Sequence, residues 1–229
     1  MANLVILPGL DGTGARISDF IREIGPTVDT RVIRFPTDEP LGYAELEALV
    51  RAALPADRRY VLMAESFSGP LAIRIGADPP RGLAGVILCG TFAKNPFPWL
   101  RRVRPLAVRL PIKSLPRLLR APLMWGSGNP RRAPPGGQRA IGAVAAPVIR
   151  RRIGEILAVD ETARLCAIEL PILVLTAARD RLLPRAANHL LLQSVPLAQF
   201  EEIDGPHLLL QSRPSECAVP VLRFVRRWN

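Results

Sequence analysis

Residues 58–80 read RRYVLMAESFSGPLAIRIGADPP, and the rest of the chain is best understood outward from them. Tyr60–Met63 is a short, β-prone apolar run of the kind that forms a buried strand. Ala64-Glu65-Ser66-Phe67-Ser68-Gly69 follows, and a helical pattern runs from Pro70 to about Ala77. Strand, small residue, Ser flanked by single residues, small residue, helix is the layout of a nucleophile elbow. The turn is tight, so the positions two before and two after the nucleophile must be small. Ala64 and Ser68 satisfy this, where Gly is commoner at both. Ser66 would then expose its hydroxyl at a helix N-terminus, with backbone N–H groups near a developing oxyanion. The plainer alternative is an ordinary strand-to-helix turn whose serine caps the helix. Ser68 is a rival nucleophile, but its frame puts Pro70 where a small residue is wanted.

On the N-terminal side, residues 3–7 (NLVIL) read as a strand running into Pro8-Gly9-Leu10-Asp11-Gly12-Thr13-Gly14 and a helix over about 15–24. A glycine-rich loop between strand and helix can cradle phosphate. These glycines do not fit G-x-G-x-x-G, and no G-K-[ST] follows, so nucleotide binding is disfavoured. Thr30–Phe35 reads as a second strand, ended by Pro36. Residues 41–54 form an amphipathic helix with Leu46, Leu49, Val50 and Ala53 on one face. On the C-terminal side, Leu83–Cys89 is another buried strand. Short apolar strands alternating with helices indicate parallel βαβ units.

The period breaks over residues 92–160. Helices are expected at about 98–111 and 115–124, then a Gly/Pro-rich break at 126–137, then a helix over about 138–158 interrupted by Pro147. This segment reads as an inserted helical cap, or lid, with 1–91 and 161–229 forming the core. Alternation resumes with a strand at 171–176, a helix beginning near Pro184, a strand at Gln199–Ile203 and a terminal helix at about 214–227.

The chain has 229 residues and 48% hydrophobic content, enough for one domain with a proper core. No stretch approaches the roughly 18 apolar residues of a membrane span, and the N-terminus has no signal-peptide pattern. Cys89, Cys166 and Cys217 are odd in number and unclustered, which reads as reduced, buried thiols in a cytoplasmic protein. The formal charge is +11, yet residues 93–152 alone hold two Lys and twelve Arg with no acid, or +14. The basicity is local, and arginines so clustered suit phosphate or carboxylate recognition.

A serine hydroxyl needs a base to take its proton, and the base needs an acid to hold its tautomer. The sequence supplies Ser66, Asp180 and His207 in that order, each just after a predicted strand. All three would meet at one edge of a parallel sheet. His189, the other histidine, lies inside a helical pattern and is expected to face solvent or pack. Asp160 competes with Asp180 as the acid, while Asp204 reads as a turn residue. Glu65 is expected to pack or pair beneath the elbow.

LPGLDGTG, AESFSGP, LTAARDRLLP and IDGPHLLL together resemble motifs of the α/β-hydrolase superfamily of serine esterases. The resemblance covers nearly the whole chain apart from the cap. The small-residue elbow and arginine-rich cap look like the pimeloyl-acyl-carrier-protein methyl ester carboxylesterases of biotin synthesis, and the opening LPGLDGTG like the hydrolase part of plastid phytyl ester synthases. The resemblance implies an α/β-hydrolase fold with a minimal, mostly parallel sheet of about six strands flanked by helices. It also implies an oxyanion hole from the N–H groups of Leu10 and Phe67. The family's usual His-Gly is Pro8-Gly9 here, and the leading antiparallel hairpin is missing.

The expected activity is two-step hydrolysis of short to medium acyl esters, without metal or organic cofactor, as by a carboxylesterase. Trp99, Leu119, Met124 and Val148 would line an acyl pocket in the cap. Arg101, Arg102, Arg104, Arg150, Arg151 and Arg152 would face outward and could dock an acidic acyl carrier protein, as the resemblance implies. A second reading is a lipase, thioesterase or acyltransferase whose basic cap rests on an anionic membrane surface. A third is a non-catalytic binding protein on the same fold. Few aromatics interleave with the arginines, which disfavours single-stranded nucleic acid.

Overall fold

The computed structural model describes residues 2–101 and 141–228. Among them, six strands form one sheet: β1 (Ala2–Leu7), β2 (Val28–Val32), β3 (Tyr60–Glu65), β4 (Leu83–Cys89), β5 (Ile172–Ala177) and β6 (Gln199–Ile203). Their order is β2-β1-β3-β4-β5-β6, and every pairing is parallel. The helices are α1 (Ser18–Ile24), α2 (Tyr43–Ala53), α3 (Gly69–Ala77), α4 (Ala146–Ile156), α5 (Thr162–Cys166), α6 (Arg185–Ser194), α7 (Leu209–Ser212) and α8 (Pro214–Trp228). This is the α/β-hydrolase fold, as the motifs imply.

Side chains alternate across a strand, and β1 shows what that does here. Leu4 and Ile6 join Val61, Met63, Ile87, Leu173 and Leu175 beneath α1, α7 and α8. Val5 and Leu7 join Leu62, Ala64, Val86, Leu88 and Val174 beneath α2, α3, α5 and α6. The inner strands are therefore apolar through their middles, with Asn3, Glu65 and Thr176 at or near their ends, as a sheet covered on both faces requires. Each fully buried Leu, Ile or Val adds about 1.5–3 kcal/mol of hydrophobic stabilisation.

The strand order reverses direction between β1 and β3. From β1 the chain steps outward to β2, and from β3 it steps the other way to β4, β5 and β6. The connections after β1 and β3 thus run to opposite sides, and the carboxyl end of the sheet at such a switch point is where ligands bind in open α/β folds.

Three expectations need correction. The second strand begins at Val28, two residues early, and is an edge strand with alternating exposure. Its ladder continues one step further through Ile33 N–H to Ile6 C=O (3.0 Å). Pro147 does not interrupt a helix but starts one, lying in the first turn of α4, where a missing N–H costs nothing. Cys89 and Cys217 are buried thiols, but Cys166 is exposed.

Of the helix expected at about 98–111, Pro98–Arg101 forms a 3-10 turn; its remainder, the helix expected at 115–124 and the break at 126–137 fall outside the described residues. The two ends of the segment lie side by side. Lys94 and Asp160 form an antiparallel bridge, Asn95 N–H donates to Val159 C=O (2.9 Å) and Glu161 N–H to Ala93 C=O (2.8 Å). Among the described residues no helix is long and apolar enough to cross a membrane.

Candidate active site

At the carboxyl end of β3 the backbone turns sharply. Ser66 has φ +52°, and among the described residues it is the one non-glycine with positive φ. That left-handed conformation costs a residue with a Cβ about 1 kcal/mol or more and persists only when its surroundings enforce it. Here they do. The Ser66 carbonyl accepts from Gly69 N–H and from the Thr91 hydroxyl. Ser68 Oγ donates to Pro8 C=O, and Tyr43 Oη donates to Phe67 C=O at 2.9 Å. The Tyr43 ring also stacks on Phe67, with centroids 4.9 Å apart. Elbow, β1 loop, β4 end and the first turn of α2 are thus tied together.

Ser66 Oγ lies 2.9 Å from His207 Nε2. His207 Nδ1 lies 2.7 Å from Asp180 Oδ2. The other Asp180 oxygen accepts from Leu182 N–H (2.7 Å) and Leu183 N–H (2.8 Å), so the turn after β5 fixes the carboxylate. An ionised carboxylate only accepts, which places the imidazole proton on Nδ1 and leaves Nε2 to accept from the serine hydroxyl. The imidazole is buried, whereas Ser66 remains partly exposed.

The competing residues are elsewhere. Asp160 accepts from Thr162 and pairs with Lys94 at 2.8 Å. Those contacts hold its carboxyl below the usual range. Asp204 pairs with Arg179 at 2.7 Å, and His189 is exposed on α6. Ser68 is fully buried, its hydroxyl committed to Pro8.

The β1 loop passes directly over the elbow. A Cβ placed on Gly9 would sit 3.8 Å from Ser66 Cβ and 3.6 Å from a Glu65 carboxylate oxygen. Leu10 N–H has no acceptor among the described residues, and Phe67 N–H falls in the leading turn of the 3-10 segment Ser66–Ser68, where donors have no partner within the helix.

Of the residues expected to line an acyl pocket, Trp99 is 70% exposed and Val148 is fully buried, packed with Leu10 and Ile149. Leu119 and Met124 lie outside the described residues. So do Arg102, Arg104 and the side chain of Arg101. Arg150 and Arg151 are exposed, and Arg151 pairs with Glu155 at 3.4 Å. Arg152 does not face outward: it is fully buried. Its guanidinium donates to Leu10 C=O and Pro36 C=O, both at 2.8 Å, a use that no local pattern in the sequence signals. Tyr43, Thr91 and Gln211 were likewise invisible, because each acts across a long separation in the chain.

A buried polar layer lies under the site. Burial pushes the Asp11 carboxyl up, but Arg16 and Thr13 outweigh it and hold it below the usual range. Glu65 is the reverse. Burial lifts its carboxyl above the usual range, and Arg16 and Gln211, whose Nε2 donates to Oε1 at 2.6 Å, do not cancel the lift. The folded state then binds this proton more tightly than the unfolded chain does. Glu65 stabilises fully only below its unfolded value near 4.5, and that contribution is lost as pH rises through the folded value. Glu65→Gln keeps an acceptor for Gln211 and removes the titration. In denaturant melts we expect the variant to match wild type at pH 4 and to exceed it at pH 8. A parallel pH dependence in both proteins would refute this.

Residues 4–219 match the Alpha/beta hydrolase family. No curated protein matches the chain in sequence. In three dimensions it is similar to the enol-lactonase from Burkholderia xenovorans LB400, with 18% identity, 98% of this chain and 91% of that one covered, and a TM-score of 0.82. It is also similar to a bromoperoxidase from Bacillus anthracis (13% identity, 98% and 92% covered, TM-score 0.80). MenH from S. aureus is a third such structure (15% identity, 99% and 94% covered, TM-score 0.79). Identities this low speak for shared fold, while the family match spans nearly the full length: the chain belongs to the alpha/beta hydrolase family.

Proposed function

We propose that the protein is a serine ester hydrolase working through an acyl-enzyme. The observation behind this reading is the unbroken contact chain from Ser66 Oγ through His207 to Asp180, built on a strained turn. Ser66 Oγ attacks the ester carbonyl while His207 Nε2 takes its proton, and Asp180 stabilises the resulting imidazolium. Leu10 and Phe67 N–H groups hold the tetrahedral oxyanion, an effect of about 3 kcal/mol per donor in comparable sites. His207 then protonates the departing alkoxide. Water attacks the acyl-enzyme with His207 again as base, and the acid leaves.

The substrate we propose is a short to medium acyl ester, open-chain or cyclic; the enol-lactonase among the similar structures is named for a cyclic ester. A carrier-bound methyl ester, the substrate implied by the resemblance to the biotin-pathway esterases, would need a basic outer face. Arg150 and Arg151 are the exposed arginines of residues 141–152 that would contribute to one. Arg152 is not available for docking.

A fluorophosphonate should label the peptide containing Ser66 and block turnover of p-nitrophenyl butyrate. Labelling at another serine, or none alongside measurable turnover, would reject the assignment.

A further inference from the structure

Arg152 is among the largest fully buried side chains of the molecule, and it has no carboxylate partner among the described residues. Its Nη1 and Nη2 donate to the carbonyls of Leu10 and Pro36, and its Nε has no partner there. The guanidinium lies 5.8 Å from the centroid of the Phe67 ring and 5.7 Å from that of Phe35. The space is made for it: a Cβ on Gly12, whose φ is +73°, would fall 2.8 Å from Nη1. Desolvation of an unpaired cation is expensive, and burial lowers this one to about 10, so it is still charged at neutral pH. Apolar packing alone would be served better by Leu or Met.

What distinguishes the position is the pair of residues it touches. Leu10 and Phe67 come from different loops, after β1 and after β3, and they are the two residues to which the ester-hydrolase reading assigns the oxyanion-binding N–H groups. Arg152 bonds to the carbonyl of the first. It covers the ring of the second, whose carbonyl is held by Tyr43 and whose ring stacks on Tyr43. Asp11 acts on this charge from a distance but forms no ion pair with it, so part of its field remains for negative charge that develops nearby.

We propose that Arg152 is the positioning residue of the oxyanion site, holding Leu10 and Phe67 in mutual register and adding fixed positive charge behind them. This rests on the ester-hydrolase reading above. The consequence is specific: losing the guanidinium should weaken binding of the tetrahedral state and leave binding of the ground-state ester nearly alone.

The experiment compares wild type, Ser66→Ala, Arg152→Met and Arg152→Lys on p-nitrophenyl butyrate, with butylboronic acid as a probe that forms a tetrahedral adduct on the serine. Arg152→Met should lower kcat by about 10- to 100-fold with KM within about twofold, and boronate affinity should fall in proportion to kcat. Arg152→Lys, with charge but no fork, should fall between it and wild type. If Arg152→Met does not fold, Arg152→Lys carries the same comparison. A kcat within about twofold of wild type, or a lowered kcat with unchanged boronate affinity, overturns the proposal and leaves the ester-hydrolase reading standing. Wild-type turnover that survives Ser66→Ala overturns both, and does so before any Arg152 variant is measured.

Discussion

Ser66→Ala is expected to lower kcat/KM for p-nitrophenyl butyrate by about 10⁴-fold or more, while the protein stays folded. In the proposed mechanism the hydroxyl alone forms a covalent bond to the substrate, so nothing else can substitute for it. Ser66 Oγ and His207 Nε2 work as one unit at 2.9 Å, and effects within such a unit do not add. The double variant Ser66→Ala/His207→Ala should therefore be no slower than the single one. Ser66→Gly should be equally inactive, yet more stable than wild type. Glycine meets no penalty at φ +52°, and relief of that strain is worth about 1 kcal/mol. Activity in Ser66→Ala above a tenth of wild type would exclude Ser66 as the nucleophile. Melts and progress curves of wild type and the three variants decide the matter.

The sheet could be read from the chain because its inner strands are buried on both faces. Such strands are continuous apolar runs, and Leu83–Cys89 begins and ends where the sequence places it. The edge strand β2 was misplaced because it has only one buried face, and its alternation, with Asp29 and Arg31 exposed, is a weak signal. Pro147 misled for a different reason. Proline forbids a helix interior but favours a first turn, and sequence alone does not say on which side of it the helix lies.

The three polar residues of the candidate site were legible because each follows a strand, and a parallel sheet delivers all its carboxyl ends to one edge. The residues that hold them were not. Arg152 sits among twelve arginines in a run without acids, and charge in such a run reads as surface. Its burial depends on carbonyls of Leu10 and Pro36, more than 100 positions earlier. Glu65 is the partial exception. A carboxyl next to the nucleophile suggested a buried pair, but its partner turned out to be Gln211 Nε2. The small-residue rule for the elbow was also incomplete. It named positions 64 and 68, whereas Ser68 uses its hydroxyl to bind Pro8 C=O and the tightest contact falls one residue later.

That contact supports the second large effect. Gly69→Ala is expected to destabilise the protein by about 3 kcal/mol or more, lowering Tm by roughly 6–12 °C. Conformation is not the reason, since Gly69 has φ −54°, open to any residue. Space is. A Cβ there would lie 1.9 Å from Thr91 Oγ1, 2.6 Å from Cγ2 and 2.7 Å from Cβ. Thr91 is buried and cannot swing away, because its hydroxyl also supports the Ser66 carbonyl. Either the end of β4 or the elbow must move, and movement of the elbow displaces Ser66 from His207. The clash involves three atoms of one side chain, so the remedy is defined. Thr91→Gly in the Gly69→Ala background removes all three and should restore more than half of the lost stability, with Gly69 N–H still donating to Ser66 C=O. Thr91→Ser keeps the nearest atom and should restore little. A Gly69→Ala protein within about 1 kcal/mol of wild type would show that the elbow has slack. A double variant no more stable than the single one would show that Thr91 is not what the new methyl group meets.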